Sequence, residues 1–381
     1  MKKSINDFSK IVFFGGGVLA ERLYRQIDGI QDKLVGVFDL LGENRSIKSF
    51  KGFSVKNAKE QEYLINNDEV AIMVAIGHFG VYKFVNQLRS LYPCIDDRLY
   101  IVNPYCSLRF FMVDDELARE ERVPFDNPKY QKLKSLLKDE ESIRHFKLLT
   151  TSKPFENNQD NYEIIKYTTL GDMYYYTEDY WNTYKFKTNG DVSLQATVLD
   201  CGAYIGDSVE DICKTIPESD VYYYAFEPLQ SNIKQMKDND LFSRICKEFN
   251  IVECGVGEEN KELFFHLPNN GDQEGGRFID QAEGSLDKLA IRRIDDIDIS
   301  YKGTVYIKMD IEGAELSALK GALQTIKKYR PYMAICLYHR KNDLIDIPLF
   351  IESLELNYKF YLRGGYHTIL WAIPENKKIT N

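Results

Sequence analysis

Cysteine is sparse and unpatterned in this chain. Its seven residues are odd in number, and none stands in a Cys-x-x-Cys arrangement. A disulfide frame and a thiolate zinc site are both excluded, and the seven read as small buried side chains in a reducing compartment. No apolar stretch approaches the ~20 residues needed to cross a bilayer, and the opening MKKSINDFSK has no apolar signal core, so a cytoplasmic protein is expected. Positive charge is in deficit: 49 Lys and Arg against 58 Asp and Glu give a net charge of −9. Such a surface repels phosphate backbones, so nucleic acid is not expected as a partner. Solenoid repeats and low-complexity tracts are missing too. What is there, 44% hydrophobic and 28% charged residues over 381 positions, describes a globular protein of two or three domains.

A strand–glycine turn–helix unit occurs twice. The first opens with the apolar run Ile11-Val12-Phe13-Phe14, followed by Gly15-Gly16-Gly17-Val18-Leu19-Ala20 and a helical stretch carrying Leu23 and Ile27. Further strands are read at Leu34 to Phe38 and Val70 to Ile76. Strands alternating with helices specify a parallel sheet covered on its faces. Gly15-x-Gly17-x-x-Ala20 fits a dinucleotide turn, and Asp39 lies 39 − 20 = 19 residues beyond Ala20, where a ribose-binding acid belongs. These four residues mark either a nucleotide or sugar-nucleotide site or a scaffold that needs small residues to turn. Only one such half is visible before residue 105. Residues 1–106 are read as this domain. A charged stretch, 107–165, follows as a helical bridge, with Leu133, Leu136, Leu137, Ile143, Phe146 and Leu149 at helical spacing.

The second unit, within residues 166–381, carries the chemistry. Its predicted strands end in polar groups: Thr197-Val198-Leu199 at Asp200, Val221 to Phe226 at Glu227, Ile251-Val252 at Cys254-Gly255, Val305 to Met309 at Asp310 with Glu312, and Tyr332 to Leu337 at His339. Ligands of open α/β sheets bind at such ends. Gly202 and Gly206, with Ala203, Tyr204 and Asp207 between and beside them, form a loop that backbone and ligand can share. Pro228 and Asn232 open the helix after Glu227. Glu227 is placed to take both hydroxyls of a ribose, and Asp200 to attract a cationic amino-acid portion. S-adenosylmethionine has both parts. Near the end, Lys359 to Arg363 and Thr368 to Ala372 are separated by four residues, too few for a parallel crossover, so this pair is antiparallel. The expected fold is α/β: a Rossmann-like class I methyltransferase sheet with a terminal antiparallel hairpin, preceded by a smaller Rossmann-like α/β domain.

The segments LDCGAYIGDS, YAFEP, NIVECGVG, YIKMDIEGAELSALKGA and LYH, with the closing TILWAIP, resemble the FkbM-type S-adenosylmethionine-dependent methyltransferases over about residues 165–375. The resemblance implies O-methylation, commonly of sugar hydroxyls in polysaccharide or glycoside biosynthesis. The family more often has a small polar residue where Tyr204 stands.

Methyl transfer to a hydroxyl needs alignment and a place for the departing proton. His339, Asp310 and Glu312 are the candidates. His339 is the histidine that ends a central strand and whose ordinary pKa lies near 7. These three residues could instead hold a divalent cation. Met173-Tyr174-Tyr175-Tyr176 with Tyr180-Trp181 would stack on a sugar acceptor or pack as a cap, and 268–276 reads as a lid or a plain hairpin loop. The competing functions are a sugar-nucleotide oxidoreductase using the first domain and a non-enzymatic nucleotide-sensing scaffold. The first would need a Tyr-x-x-x-Lys pair, and Tyr130 with Lys134 has that spacing outside the first sheet. A homodimer is among the assemblies left open.

Overall fold

The structure, a computed structural model, describes residues 5–26, 29–39, 49–76, 81–101, 123–124, 126–151, 195–216, 220–266, 277–279, 287–363 and 368–375. The chain divides into two compact units. Met1–Glu121, Arg144–Asp172 and Gly364–His367 form one; Arg122–Ile143, Met173–Arg363 and Thr368–Asn381 form the other. The expected boundaries at 106 and 165 lie outside the described residues, as do the aromatic cluster of 173–181 and the loop 268–276. Among the described residues no helix is long and apolar enough to cross a membrane.

The first unit is built on β1 (Lys10–Phe14), β2 (Leu34–Asp39), β3 (Ser49–Phe50), β4 (Phe53–Asn57), β5 (Val70–Val74) and β6 (Leu99–Ile101), in the order β3-β4-β2-β1-β5-β6. Apart from the two-residue β3, all neighbours pair in parallel. Alternate residues of β1 feed cores on both faces. Ile11 and Phe13 pack with Leu23 and Met73, and Val12 and Phe14 with Val85 and Leu88. That two-sided burial is why the strand reads as an unbroken apolar run. The sheet is more complete than the sequence indicated. The five parallel strands, counted in chain order, run 3-2-1-4-5 with the direction change between β1 and β5. The outer members were hard to read because β4 alternates buried and exposed positions and β6 has three residues.

The second unit centres on β7 (Gln195–Cys201), β8 (Asp220–Phe226) and β9 (Glu248–Val252), joined by β14 (Thr304–Met309), β15 (Tyr332–Cys336), β16 (Tyr358–Arg363) and β17 (Ile369–Pro374). Its order, β16-β17-β15-β14-β7-β8-β9, is 6-7-5-4-1-2-3 in chain order. Only β17 is reversed, running antiparallel to both β15 and β16, as the sequence of the hairpin predicted. The direction change falls between β7 and β14, which pair in parallel from Ala196 with Thr304 to Cys201 with Met309. A second sheet, β10 (Gly255–Val256), β13 (Asp287–Arg292), β11 (Lys261–His266) and β12 (Arg277–Ile279), was not foreseen. β11 and β12 pair antiparallel on either side of the glycine-rich segment.

The bridge does contain two helices, Pro128–Leu136 and Glu140–Thr151. Asn127 caps the first, its side-chain oxygen accepting the Lys129 N–H, with Pro128 in the first helical position. Between the helices Lys138 N–H donates to the Phe360 carbonyl, and Asp139 pairs with Arg363. The segment thereby covers the outer edge of β16, which would otherwise offer unpaired backbone. The stretch 314–329 forms two helices, Glu315–Gly321 and Leu323–Tyr329. Asp295 causes the break: its carboxylate accepts the N–H groups of Gln324 and Thr325, both at 2.8 Å, and so caps a new helix.

Trp371 on β17 is fully buried between the two neighbouring strands. Trp371→Ala is expected to cost about 3–5 kcal/mol in urea denaturation, the usual loss for a buried large aromatic. A loss under 1 kcal/mol would mean that β17 does not close the core.

Candidate active site

The C-terminal ends of β7, β8, β14 and β15 converge on one edge of the second unit's sheet. Under that edge lies a buried charge network. Asp200 is wholly inaccessible, and its Oδ1 lies 2.8 Å from Lys308 Nζ, which also donates to the Gly202 carbonyl at 2.9 Å. Asp200 Oδ2 accepts the Tyr223 hydroxyl at 2.7 Å and the Ser208 hydroxyl at 3.2 Å. Burial alone would lower the Lys308 pKa, but the charges of Asp200, Asp310 and Asp207 hold it above its ordinary value. Lys308 is therefore a permanent ammonium clamped between β14, β7 and the glycine loop. This corrects the expectation for Asp200. Its side chain is buried and paired with Lys308, which also holds the Gly202 carbonyl of the loop.

The loop itself is shaped by positive φ. Gly202 has φ +80, and a Cβ there would lie 1.9 Å from the Asp310 carbonyl oxygen, so only glycine lets β7 pass so close to the end of β14. Gly202 and Ala203 both donate to the Phe226 carbonyl at 3.1 Å, tying the loop to β8. Gly206 turns the chain at φ +82, where a Cβ would strike the Phe242 ring. Tyr204 takes φ 51, an unfavourable angle for its side chain, and its N–H donates to Glu227 Oε2 at 3.0 Å. Asp207 is exposed beside this turn.

Glu227 follows β8 and is buried. Its Oε1 accepts the Leu229 N–H at 2.9 Å and the Asn232 side-chain amide at 3.3 Å. Burial pushes its carboxyl above the ordinary range, against the opposing pull of the Leu229, Asn232 and Tyr204 donors. Pro228 sits between Glu227 and the helix Gln230–Lys237 that carries Asn232. Cys254 is a buried thiol, pushed up to about 11 by burial. Gly255 enters β10 and pairs with Ile291, so its backbone is committed to the second sheet.

On the other side of the edge, Asp310, Glu312 and His339 do come together. His339 Nε2 lies 3.4 Å from Asp310 Oδ1 and 3.6 Å from Glu312 Oε2. The imidazole side chain is only 3% exposed, whereas Asp310 and Glu312 are 28% and 42% exposed. Behind the ring, Nδ1 lies 2.8 Å from Glu315 Oε1, which also accepts the Ile311 N–H at 2.9 Å. Burial would lower the His339 pKa, but Glu315, Glu312 and Asp310 together push it up to about 10. His339 is one of the three candidates for taking the acceptor's proton, and these contacts are its surroundings. The ring is buried beneath the acids that face outward and is held between carboxylates on both sides. Tyr338 donates its hydroxyl to Asp310 Oδ1 at 2.9 Å. Glu312 has φ 54, a second strained non-glycine residue at this edge.

Sequence reasoning missed Lys308 and Glu315. Lys308 carried a signal, a lone charge inside the apolar run Val305 to Met309, which a buried strand tolerates only with a partner. Glu315 looked like an ordinary acid in a helix's first turn.

In the first unit, Gly15 turns at φ +101 after β1, its N–H donating to the Phe38 carbonyl. A Cβ there would lie 2.7 Å from the Ala75 carbonyl. Gly17 accepts the Glu21 N–H, Ala20 is buried in the helix Val18–Gln26, and Asp39 ends β2. The four residues thus stand around one strand–turn–helix.

Residues 200–360 match the family model of the methyltransferase FkbM domain, as the motifs of this stretch led us to expect. The crystal structure of methyltransferase FkbM from Methylobacillus flagellatus KT superposes with a TM-score of 0.59 at 21% identity, covering 96% of this chain and 90% of that one. At that identity the likeness establishes the shared α/β fold. The N-terminal domain of human METTL16 in complex with SAH aligns at a TM-score of 0.32 and 11% identity, over 71% of this chain and 97% of that one, too loosely to add to it. No curated protein matches the sequence.

Lys308→Met would leave Asp200 buried and uncompensated, at a cost of about 3–5 kcal/mol in chemical denaturation. Adding Asp200→Asn to that variant is expected to restore most of the loss. Equal stability of the single and double variants would show that the pair is not coupled.

Proposed function

We propose that the second unit, a methyltransferase by its FkbM domain, is an S-adenosylmethionine-dependent O-methyltransferase whose acceptor is a sugar hydroxyl of polysaccharide or glycoside biosynthesis. The observation that carries this reading is the Glu227 carboxylate. It stands at the end of β8, holds the glycine loop through Tyr204, and has three donors on a group with about four lone-pair positions. A ribose diol meeting this carboxylate can donate to the remaining position and compete with the Tyr204 N–H for Oε2. The residues fit such a ligand: Gly202 and Gly206 give the loop a surface of backbone, and Lys308 holds that loop in place from below.

Bound S-adenosylmethionine supplies the methyl group: the sulfur–carbon bond breaks with its pair staying on sulfur as the oxygen–carbon bond forms. The chain's own task is to bring the acceptor hydroxyl into line and take its proton. Asp310 and Glu312 are the carboxylates of the cluster that reach solvent, and one of them receives that proton. Glu315 and His339 position them from behind. A net charge of −9 favours a small-molecule or glycan acceptor over nucleic acid.

For the first unit the proposal is a nucleotide or sugar-nucleotide site at Gly15, Gly17, Ala20 and Asp39, at the direction change of its sheet. The oxidoreductase alternative loses its support. Tyr130 belongs to the other unit, is buried, and donates its hydroxyl to the Val123 carbonyl at 3.3 Å.

Calorimetry with S-adenosylmethionine tests the main reading. The full chain is expected to bind it, and Glu227→Ala to weaken binding by about 1–3 kcal/mol, with the circular dichroism spectrum unchanged. Absence of binding, or a folded variant with unaltered affinity, would refute the assignment.

A further inference from the structure

We propose that His339, Asp310 and Glu312 bind one hard divalent cation of the Mn²⁺ class, with Glu315 orienting the imidazole. The starting point is His339 Nε2. The side chain is 97% buried by its 3% exposure, and this nitrogen has no hydrogen-bond partner. An orphaned polar atom in such a place calls for a ligand or an explanation. It faces two carboxylate oxygens, at 3.4 and 3.6 Å. The other ring nitrogen rests on Glu315 Oε1, an acceptor, so Nδ1 carries a hydrogen. With Nδ1 donating to Glu315, a cation between Nε2 and the two acids would displace the second ring proton and take up the Nε2 lone pair.

His339 Nε2 has an oxygen of each of the two acids within 3.6 Å, and a cation drawn between them would gather all three. A hard cation bound at about 2.1 Å spaces adjacent octahedral ligands by about 3.0 Å and opposite ones by about 4.2 Å. The separations from Nε2 fall between those limits, so small side-chain movements suffice to close the site. Ligating atoms of Asp310, Glu315 and His339 also lie within 4.8 Å of one another. The Glu315–imidazole–metal arrangement is the usual way a protein fixes a metal-bound histidine, the carboxylate setting tautomer and ring orientation. Two carboxylates and one imidazole suit Mn²⁺, which accepts oxygen ligands with a nitrogen among them. Asp310 and Glu312 are partly exposed, so an ion between them has open positions for water or an acceptor oxygen.

The ion's part in the chemistry rests on the methyltransferase reading: a hydroxyl coordinated beside the cluster would lose its proton more readily. Binding of the ion itself does not depend on that reading, and the test keeps them apart. The metal-free full chain is titrated with Mn²⁺ alone, and free Mn²⁺ is followed by electron paramagnetic resonance. One Mn²⁺ per chain is expected to disappear from the free signal. His339→Gln should weaken binding at least tenfold. Glu312→Gln, at an exposed position that leaves the fold undisturbed, should also weaken it measurably. A free signal that persists at millimolar Mn²⁺, or binding unchanged in Glu312→Gln and in folded His339→Gln, would overturn the proposal. Mn²⁺ binding without S-adenosylmethionine binding would sink the function assigned above and leave this site standing; the reverse result would do the opposite.

Discussion

The Lys308–Asp200 pair is the constraint on which this edge of the sheet depends. Its two members come from β14 and β7, the strands on either side of the direction change. The strands on either side of such a point lead away in opposite directions and leave a crevice. In this protein a buried ion pair joins the two strands at that point. Lys308 also holds the Gly202 carbonyl, so charge, strand pairing and loop conformation are fixed by one ammonium. Desolvating two charges is expensive, and this pair offsets the cost with the additional donors Tyr223 and Ser208.

Two backbone distortions stand in the loops that follow β7 and β14. Tyr204 and Glu312 both take left-handed φ without being glycine. Each is held by its surroundings. The Tyr204 N–H is on Glu227, and Glu312 is followed by Gly313, which itself turns at φ +95. Such strain persists only where neighbouring contacts over-determine the chain, and it gathers where side chains must be aimed. One of the two strained residues lies on the glycine loop and the other among the acids around His339.

Much of this was legible in the sequence because it is local. Apolar runs ending in Asp200, Glu227, Asp310 and His339 gave the strand ends, glycines 202 and 206 gave the loop, and the short spacing before Thr368 gave the reversed strand. What escaped was every feature created by contacts between distant segments. Lys308 neutralises an acid 308 − 200 = 108 positions earlier. Asp295 breaks a helix 29 residues away by capping its second half. Glu315 looks like a helix-start acid until His339 packs beside it. Hence Asp200 and His339 could be placed at strand ends, while their burial and partners could not be read. Position along a strand can be counted, but whether a charge is covered depends on what arrives from elsewhere.

The place of β17 has a consequence for how the protein is made. It is the last of the seven strands in chain order, yet it lies inside the sheet between β15 and β16. During synthesis the earlier strands can assemble, but β15 and β16 keep facing backbone edges until residues 369–374 leave the ribosome. A nascent chain stalled before that stage, or a message cut short there, carries two adhesive borders with nothing between them.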